Sequence, residues 1–244
     1  MFINFEKNIF HVIRNGQLIV LDVTKNSFKI LSEKQSDIVK LAFETSSWKI
    51  NSDSYLKPDK FGKEEVKFIQ FLINNNVISS KLSSKQQDLN LTLNAKNTFF
   101  SWTPPRTKIE NVSLLYFFLS IKFLFVAKRL IKRDGFLSII KHIHNKRIPV
   151  LRISSNVNIE KAINSFNFAT NFFSSTTRCL AWSAGLIFLL QRLQVKATFV
   201  VGIQTYPFIS HAWVEIDDIP IGNNKQDCEA LSKIIVEKTF ESTE

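Results

Sequence analysis

The stretch Pro207-Phe-Ile-Ser-His-Ala-Trp-Val-Glu215 decides how the C-terminal part of this chain folds. Small and β-branched residues alternate in it with polar and aromatic ones, which predicts a strand whose Ala212 and Val214 side chains face the core. His211 then lies on the opposite face and is expected to point toward a cleft. A turn separates this strand from another one predicted over residues 196–205.

A second stretch, Thr176-Thr-Arg-Cys-Leu-Ala-Trp-Ser183, places Cys179 in the first turn of a predicted helix. Apolar residues repeat every three to four positions after it, so we expect one face of the helix to pack inward. Backbone N–H groups and the macrodipole at a helix start favour a thiolate and stabilise an oxyanion. The residues just before the cysteine are good N-cap candidates: Ser174, Ser175, Thr176 and Thr177.

Together these two stretches predict a Cys-His pair in which Cys179 is the nucleophile and His211 the base. Such a base usually needs a third group that holds its ring. The candidates are Asn223, and Asp217 or Asp218 as alternatives, of which Asp217 is the stronger because alternation puts it on the His211 face. A buried cysteine and a structural histidine are the competing interpretation of the same residues.

Three segments resemble the lasso-peptide B proteins: Cys-Leu-x-x-Ser from Cys179, Phe199-Val-Val-Gly-Ile203, and the run that ends at Glu215. The resemblance implies a transglutaminase-like, papain-like cysteine protease that cuts the leader from a ribosomally made precursor peptide. It also implies an asparagine-synthetase-like cyclase as a partner and ATP for the overall reaction, although no cofactor motif is visible in this chain. The family commonly has an Asp shortly after this strand, in a Val-x-Asn-Asp-like segment, whereas the corresponding stretch here is Ile221-Gly-Asn-Asn224 without an Asp. An Asn can orient an imidazole but supplies no charge, so Asn223 is one candidate for the third member of the triad.

The first 80 residues predict a small domain of strands followed by helices. Strands are predicted over 9–13 and 17–23 around an Asn15-Gly16 hairpin turn, and a third over Ser27–Leu31. Ser32 opens a helix with a capping box, and another helix follows over 63–74. This order is winged-helix-like, and it resembles the leader-recognition domain of fused B proteins. The third strand is the candidate leader-binding edge: Ser27, Phe28, Lys29, Ile30 and Leu31.

The sequence therefore predicts an α+β protein with an N-terminal winged-helix-like recognition domain (1–81), a linker (82–111) and a C-terminal protease domain (112–244). Pro104-Pro105 and a polar composition favour the linker. Only two cysteines occur in 244 residues and the start resembles no signal peptide, so we expect a cytoplasmic protein without disulfides.

The net charge of +11 is concentrated between residues 120 and 152. Nucleic acid, an anionic membrane or an acidic peptide could bind such a cluster, and a merely solvated face is the alternative. The apolar stretch 112–127 is too short to span a membrane, so it predicts a buried or interface helix, with membrane-surface contact as a further option.

Two other functions fit parts of the sequence. A transglutaminase-like amidase or acyltransferase would use the same Cys-His pair. A winged-helix regulator that binds nucleic acid would account for the charge, but the helices of the first 80 residues are not notably basic, and we expect no nucleic-acid partner. No metal site is predicted, because His142 and His144 at i and i+2 do not share a helix face.

Overall fold

The computed structural model describes residues 2–45, 49–51, 54–56, 61–81, 88–92, 97–98, 102–105, 111–145, 158–173 and 179–240. The chain forms two compact units, Met1–Ala95 and Lys96–Glu244. Described parts of the predicted linker belong to both: Leu91–Thr92 is a strand of the first unit, and Thr98 is hydrogen-bonded within the second. The exact bounds of the domains and of a linker stay a prediction.

The N-terminal unit is built around an antiparallel sheet to which one short parallel strand is added, in the order β4-β3-β2-β8. The described part of the unit also contains two smaller strand pairs, β1-β7 and β5-β6, and two helices. Its elements are β1 (Phe2–Phe5), β2 (Ile9–Arg14), β3 (Gln17–Asp22), β4 (Ser27–Ile30), α1 (Glu33–Glu44), β5 (Lys49–Asn51), β6 (Ser54–Leu56), α2 (Lys63–Asn74), β7 (Ile78–Lys81) and β8 (Leu91–Thr92).

Local sequence signals explain the turns of this unit. Asn15 and Gly16 both have positive φ, as a two-residue hairpin turn requires, and the flanking Arg14 and Gln17 are paired. Ser32 caps α1 with a capping box, in which its hydroxyl accepts from Gln35 N–H while the Gln35 side chain accepts from Ser32 N–H. These predictions are confirmed, whereas assignment of the unit to the winged-helix class stays a prediction.

The C-terminal unit packs helices against a four-stranded antiparallel sheet of order β11-β10-β9-β12. Its elements are α3 (Leu114–Asp134), α4 (Phe136–Ile143), α5 (Ile159–Thr170), α6 (Cys179–Arg192), β9 (Thr198–Thr205), β10 (Phe208–Ile216), β11 (Ile219–Pro220), α7 (Lys225–Glu229) and β12 (Ser232–Lys238). The domain is thus of mixed α and β structure.

Helix α6 lies at the centre of this unit. It contacts β9 and β10 as well as α3, α4 and α5, and every residue from 181 to 191 is buried. The prediction that only one face of this helix packs inward is therefore wrong. The reason is its composition: apolar residues occupy all sides of α6, as in helices surrounded by protein.

Strand β10 is also covered on both faces, since all five side chains from His211 to Glu215 are buried. The expected cleft beside His211 is therefore closed over the histidine, because Trp102 and Trp213 lie against its ring.

None of the helices in the described part of the chain combines the length and the hydropathy that a membrane span requires.

Candidate active site

His211 is held by Asn223, twelve residues further along the chain. Its Nε2 lies 2.8 Å from Asn223 Oδ1, and Asn223 Nδ2 donates to the carbonyl of Ile221 at 2.7 Å. A carbonyl only accepts, so the second bond fixes the orientation of the amide and leaves Oδ1 facing the imidazole. Nε2 must then carry the proton, and Nδ1 is the basic nitrogen of the neutral ring.

Burial sets the charge state of this histidine. His211 is 2% exposed, and loss of solvation lowers its pKa below the ordinary 6.5. The hydrogen bond to Asn223 and the negative charge of Asp227 act in the opposite direction and favour the protonated ring. The His211 ring is therefore neutral near pH 7 and can accept a proton. The Asn223 carbonyl and the Asp227 carboxylate are placed to stabilise the imidazolium that then forms.

The helix that begins with Cys179 is hydrogen-bonded to the strand that carries His211. Residues 193–197 join the end of α6 to the start of β9, and that start pairs with Glu215. The C-terminal end of α6 is therefore connected on the Glu215 side of the sheet. Ser183, one helical turn after Cys179, donates its hydroxyl to the carbonyl of Ala212 at 2.9 Å. This bond ties the helix that carries the thiol to the strand position beside the histidine.

Trp213 and Glu215 have structural tasks in the same strand. Glu215 is buried, and it accepts from Trp213 Nε1 at 2.8 Å and from Lys233 Nζ at 2.8 Å. The Trp213 ring stacks on His211 at 5.8 Å between centroids. It also fills the space above Gly202, where an added Cβ would lie 2.6 Å from the indole. Trp213, held by Glu215, thus helps to position the His211 ring in addition to Asn223.

Trp102 is another neighbour of His211, and sequence reasoning missed it. Its ring lies 6.2 Å from the His211 ring and 5.9 Å from that of Trp182. Its Nε1 is buried and makes no hydrogen bond to any residue that the structure describes. Trp102, Asn223 and Asp227 all line one pocket of about 180 Å³. An indole N–H without an acceptor beside a candidate base is a donor that a substrate could use.

The side chains of Gln204 and Asp227 bind Thr98, which lies shortly before Trp102 in the chain. The buried amide of Gln204 donates to the Thr98 carbonyl and accepts from the Thr98 N–H, both at 2.9 Å. The Thr98 hydroxyl donates to Asp227 at 3.0 Å. Asp227 was not predicted from the sequence either, because no motif marks it. Asp227 is sixteen residues from His211 in sequence, so its effect on the pKa of His211 could not be inferred from spacing.

The alternatives for the third group lie elsewhere. Asp217 and Asp218 form the exposed turn after β10, both with positive φ. Asp217 is six residues beyond His211, about 20 Å along an extended strand. The prediction that Asp217 lies on the His211 face is therefore wrong, because the alternation on which it rested ends with the strand at Ile216. The N-cap candidates at 174–177 lie outside the described residues.

Cys228 differs from Cys179 in its surroundings. Both are described and neither forms a disulfide, but Cys228 is buried whereas Cys179 is partly accessible. Burial, with Glu215 and Asp227 nearby, raises the pKa of Cys228 to about 12. A thiol of that kind is not ionised at neutral pH, so Cys228 is unsuited to be a nucleophile.

The candidate leader-binding residues form β4, with Leu31 just after it, at the edge of the N-terminal sheet. Leu31 N–H donates to the Leu18 carbonyl, so by alternation the N–H of Ile30 points to the outer edge. No other strand in the described part of the chain pairs with that edge. A groove of about 360 Å³ between α1 and α2 has Ile38 and Phe68 among its lining.

No group of three or more His, Cys, Asp or Glu side chains suited to a metal ion occurs among the described residues.

Comparison with known proteins agrees with this geometry. Residues 122–236 match the family model described as the transglutaminase-like superfamily. No curated protein and no solved structure matches the chain significantly. The matched segment runs from within α3 into β12 and contains Cys179, His211 and Asn223. It is consistent with a cysteine protease or an acyltransferase. Residues 122–236 therefore form a domain of the transglutaminase-like superfamily.

Proposed function

We propose that this protein is a cysteine peptidase that removes the leader from a lasso-peptide precursor. The observation that carries the proposal is the His211–Asn223 bond, in a sheet tied through Ser183 to the helix that starts with Cys179. The match to a transglutaminase-like domain supports thiol-based acyl chemistry, and the motif resemblance supports the peptide substrate.

In the proposed reaction, His211 Nδ1 takes the thiol proton and the Cys179 thiolate attacks the carbonyl carbon of the last leader residue. The C–N bond breaks, and the imidazolium returns its proton to the departing amine of the core peptide. The leader remains as a thioester on Cys179. A water molecule, deprotonated by His211, then hydrolyses the thioester and regenerates the thiol.

The oxyanion formed in each step needs donors. The backbone N–H of Cys179 at the start of α6 is one candidate. The indole N–H of Trp102 is a second, because it is buried without an acceptor among the described residues and lines the pocket beside Asn223.

The N-terminal unit would hold the leader as an added strand on the outer edge of β4. That edge offers the Ile30 N–H, and the groove with Ile38 and Phe68 could take apolar leader side chains. A nucleic-acid partner has less support: α1 carries three acidic and two basic residues, and α2 carries two of each.

The freed core amine would pass to an asparagine-synthetase-like cyclase, which would use the ATP. This protein would need no cofactor of its own and would act in the cytoplasm. These partners and this location are inferences from the sequence resemblance and the cysteine content.

A synthetic precursor, encoded by a small gene beside this one, tests the proposal when mixed with the purified protein and followed by mass spectrometry. We expect two fragments whose masses sum to the precursor plus one water. Cys179→Ala should give none while still binding the precursor, and Cys228→Ala should cleave it normally. An intact backbone that gains an added primary amine and loses ammonia would instead assign an acyltransferase.

Leader capture is tested separately in the full chain. Ile30→Pro should weaken binding of a fluorescent leader peptide, because it removes the outward N–H. Ile30→Thr keeps that N–H and serves as the control. Equal binding by both variants and the wild type would exclude β4 as the docking edge.

A further inference from the structure

Helix α3 has a buried face and an exposed face on opposite sides. With 100° per residue, its buried side chains fall within one arc: Tyr116, Ser120, Phe123, Leu124 and Ala127. That arc packs against α5 and α6. The residues of the opposite arc are exposed, and the ring of Phe173 contacts Phe125 there at 5.0 Å between centroids.

Large apolar side chains occupy the exposed arc between Leu114 and Phe125. Phe118 is 65% exposed and Phe125 62%, with Leu114 and Leu115 exposed beside them. Phe172, two residues after the end of α5, is 65% exposed and extends the same surface, because its ring and that of Phe118 both pack on Phe117. Contiguous exposed aromatic residues are uncommon on a surface that only faces water.

Basic side chains occupy the same arc between Lys122 and Arg133. Lys122, Arg129, Lys132 and Arg133 are exposed, and positions 114–133 contain no acidic residue. Arg133 is paired with Asp134, the one acid of the helix, at 2.7 Å. We define the α3 patch as Leu114, Leu115, Phe118, Lys122, Phe125, Arg129, Lys132 and Phe172.

We propose that the α3 patch binds the surface of an anionic membrane. Protruding Phe and Leu side chains enter the interface between headgroups and acyl chains, and Lys and Arg on the same arc meet the negative headgroups. The helix lies in the plane of the surface, since its other face is packed within the domain. Nucleic acid would contact the basic residues but would leave the aromatic ones in water, so lipid matches the whole patch better.

The proposal does not depend on the catalytic assignment and is tested with the full chain. Sedimentation with vesicles of phosphatidylcholine alone is compared with vesicles in which about a third of the lipid is phosphatidylglycerol. We expect binding to the anionic vesicles, weakened by salt, and much weaker binding to the neutral ones.

Variants separate the two parts of the patch. Phe118→Ser with Phe125→Ser should lower binding at least about tenfold, whereas Phe71→Ser, a 54% exposed phenylalanine on α2, should not. Replacing Lys122, Arg129 and Lys132 by Gln should lower binding by up to about a hundredfold, since each basic residue contributes about fivefold. Lys34, Lys63 and Lys67, exposed on the first unit, provide the matched triple Gln control.

Circular dichroism spectra would verify that the variants are folded. Absence of vesicle binding by the wild type, or equal binding by patch and control variants, would overturn the proposal. So would a concentration-dependent dimer without vesicle binding that Phe118→Ser and Phe125→Ser abolish, since the patch would then join two copies of this chain.

Discussion

The loss of the Asn223 side-chain carbonyl should slow every reaction that needs the Cys179 thiolate. In Asn223→Ala the His211 Nε2–H has no acceptor from that position, so the ring tautomer is less defined and the imidazolium loses a hydrogen bond. Removal of that bond lowers the pKa of His211 further, because the bond raises it in the native protein. Formation of the thiolate–imidazolium pair therefore becomes less favourable.

The size of this effect follows from the 2.8 Å bond. A hydrogen bond to a charged group contributes about 1.5–3 kcal/mol, which corresponds to about a 10- to 150-fold lower rate. The rate of Cys179 alkylation by iodoacetamide across pH measures it without a known substrate. Asn223→Asp should restore the wild-type rate or exceed it, because a carboxylate holds the same tautomer and stabilises the imidazolium.

Asn224 supplies the control for this experiment. Its Oδ1 accepts from Gln226 N–H and caps α7, so Asn224→Ala should cost about 1 kcal/mol of stability and leave the alkylation profile unchanged. If Asn223→Ala is alkylated as fast as the wild type at every pH, the reasoning on the third group is refuted.

Three further variants test other parts of the site. Gly202→Ala should destabilise the protein by about 1–3 kcal/mol, seen as a lower melting temperature, because the new Cβ would lie 2.6 Å from the Trp213 indole. Trp102→Phe should lower the kcat for precursor cleavage about a hundredfold with little change in KM if its N–H meets the oxyanion, whereas Trp182→Phe should affect kcat less. Asp227→Asn should slow Cys179 alkylation at neutral pH, and the difference from wild type should shrink as salt is added, because the effect is electrostatic.

Features that depend on close neighbours in sequence were predictable. The Asn15-Gly16 turn and the Ser32 capping box each involve residues within four positions of one another, and both occur as predicted. The hydrogen bond between His211 and Asn223 involves one of the candidates named for the third group, which was not singled out from the sequence alone. The catalytic roles of these residues stay predictions until they are measured.

Features that depend on contacts between residues distant in sequence could not be predicted. Trp102 was placed in a linker because prolines follow it, and nothing local shows that Gln204, more than 100 residues later, binds the backbone of Thr98. The burial of α6 on all sides likewise depends on helices α3 and α5, whose packing no periodicity in α6 specifies. Asp217 was favoured by extending an alternation past the last residue of its strand.

The central claim is that His211 activates Cys179, and one labelling measurement tests it most directly. The native protein is exposed briefly to iodoacetamide at neutral pH, and the labelled cysteine is identified by peptide mass spectrometry in the wild type and in His211→Ala. We predict rapid labelling of Cys179, little labelling of the buried Cys228 whose pKa is about 12, and much slower labelling of Cys179 in His211→Ala. Equal labelling of Cys179 with and without the histidine would contradict the account.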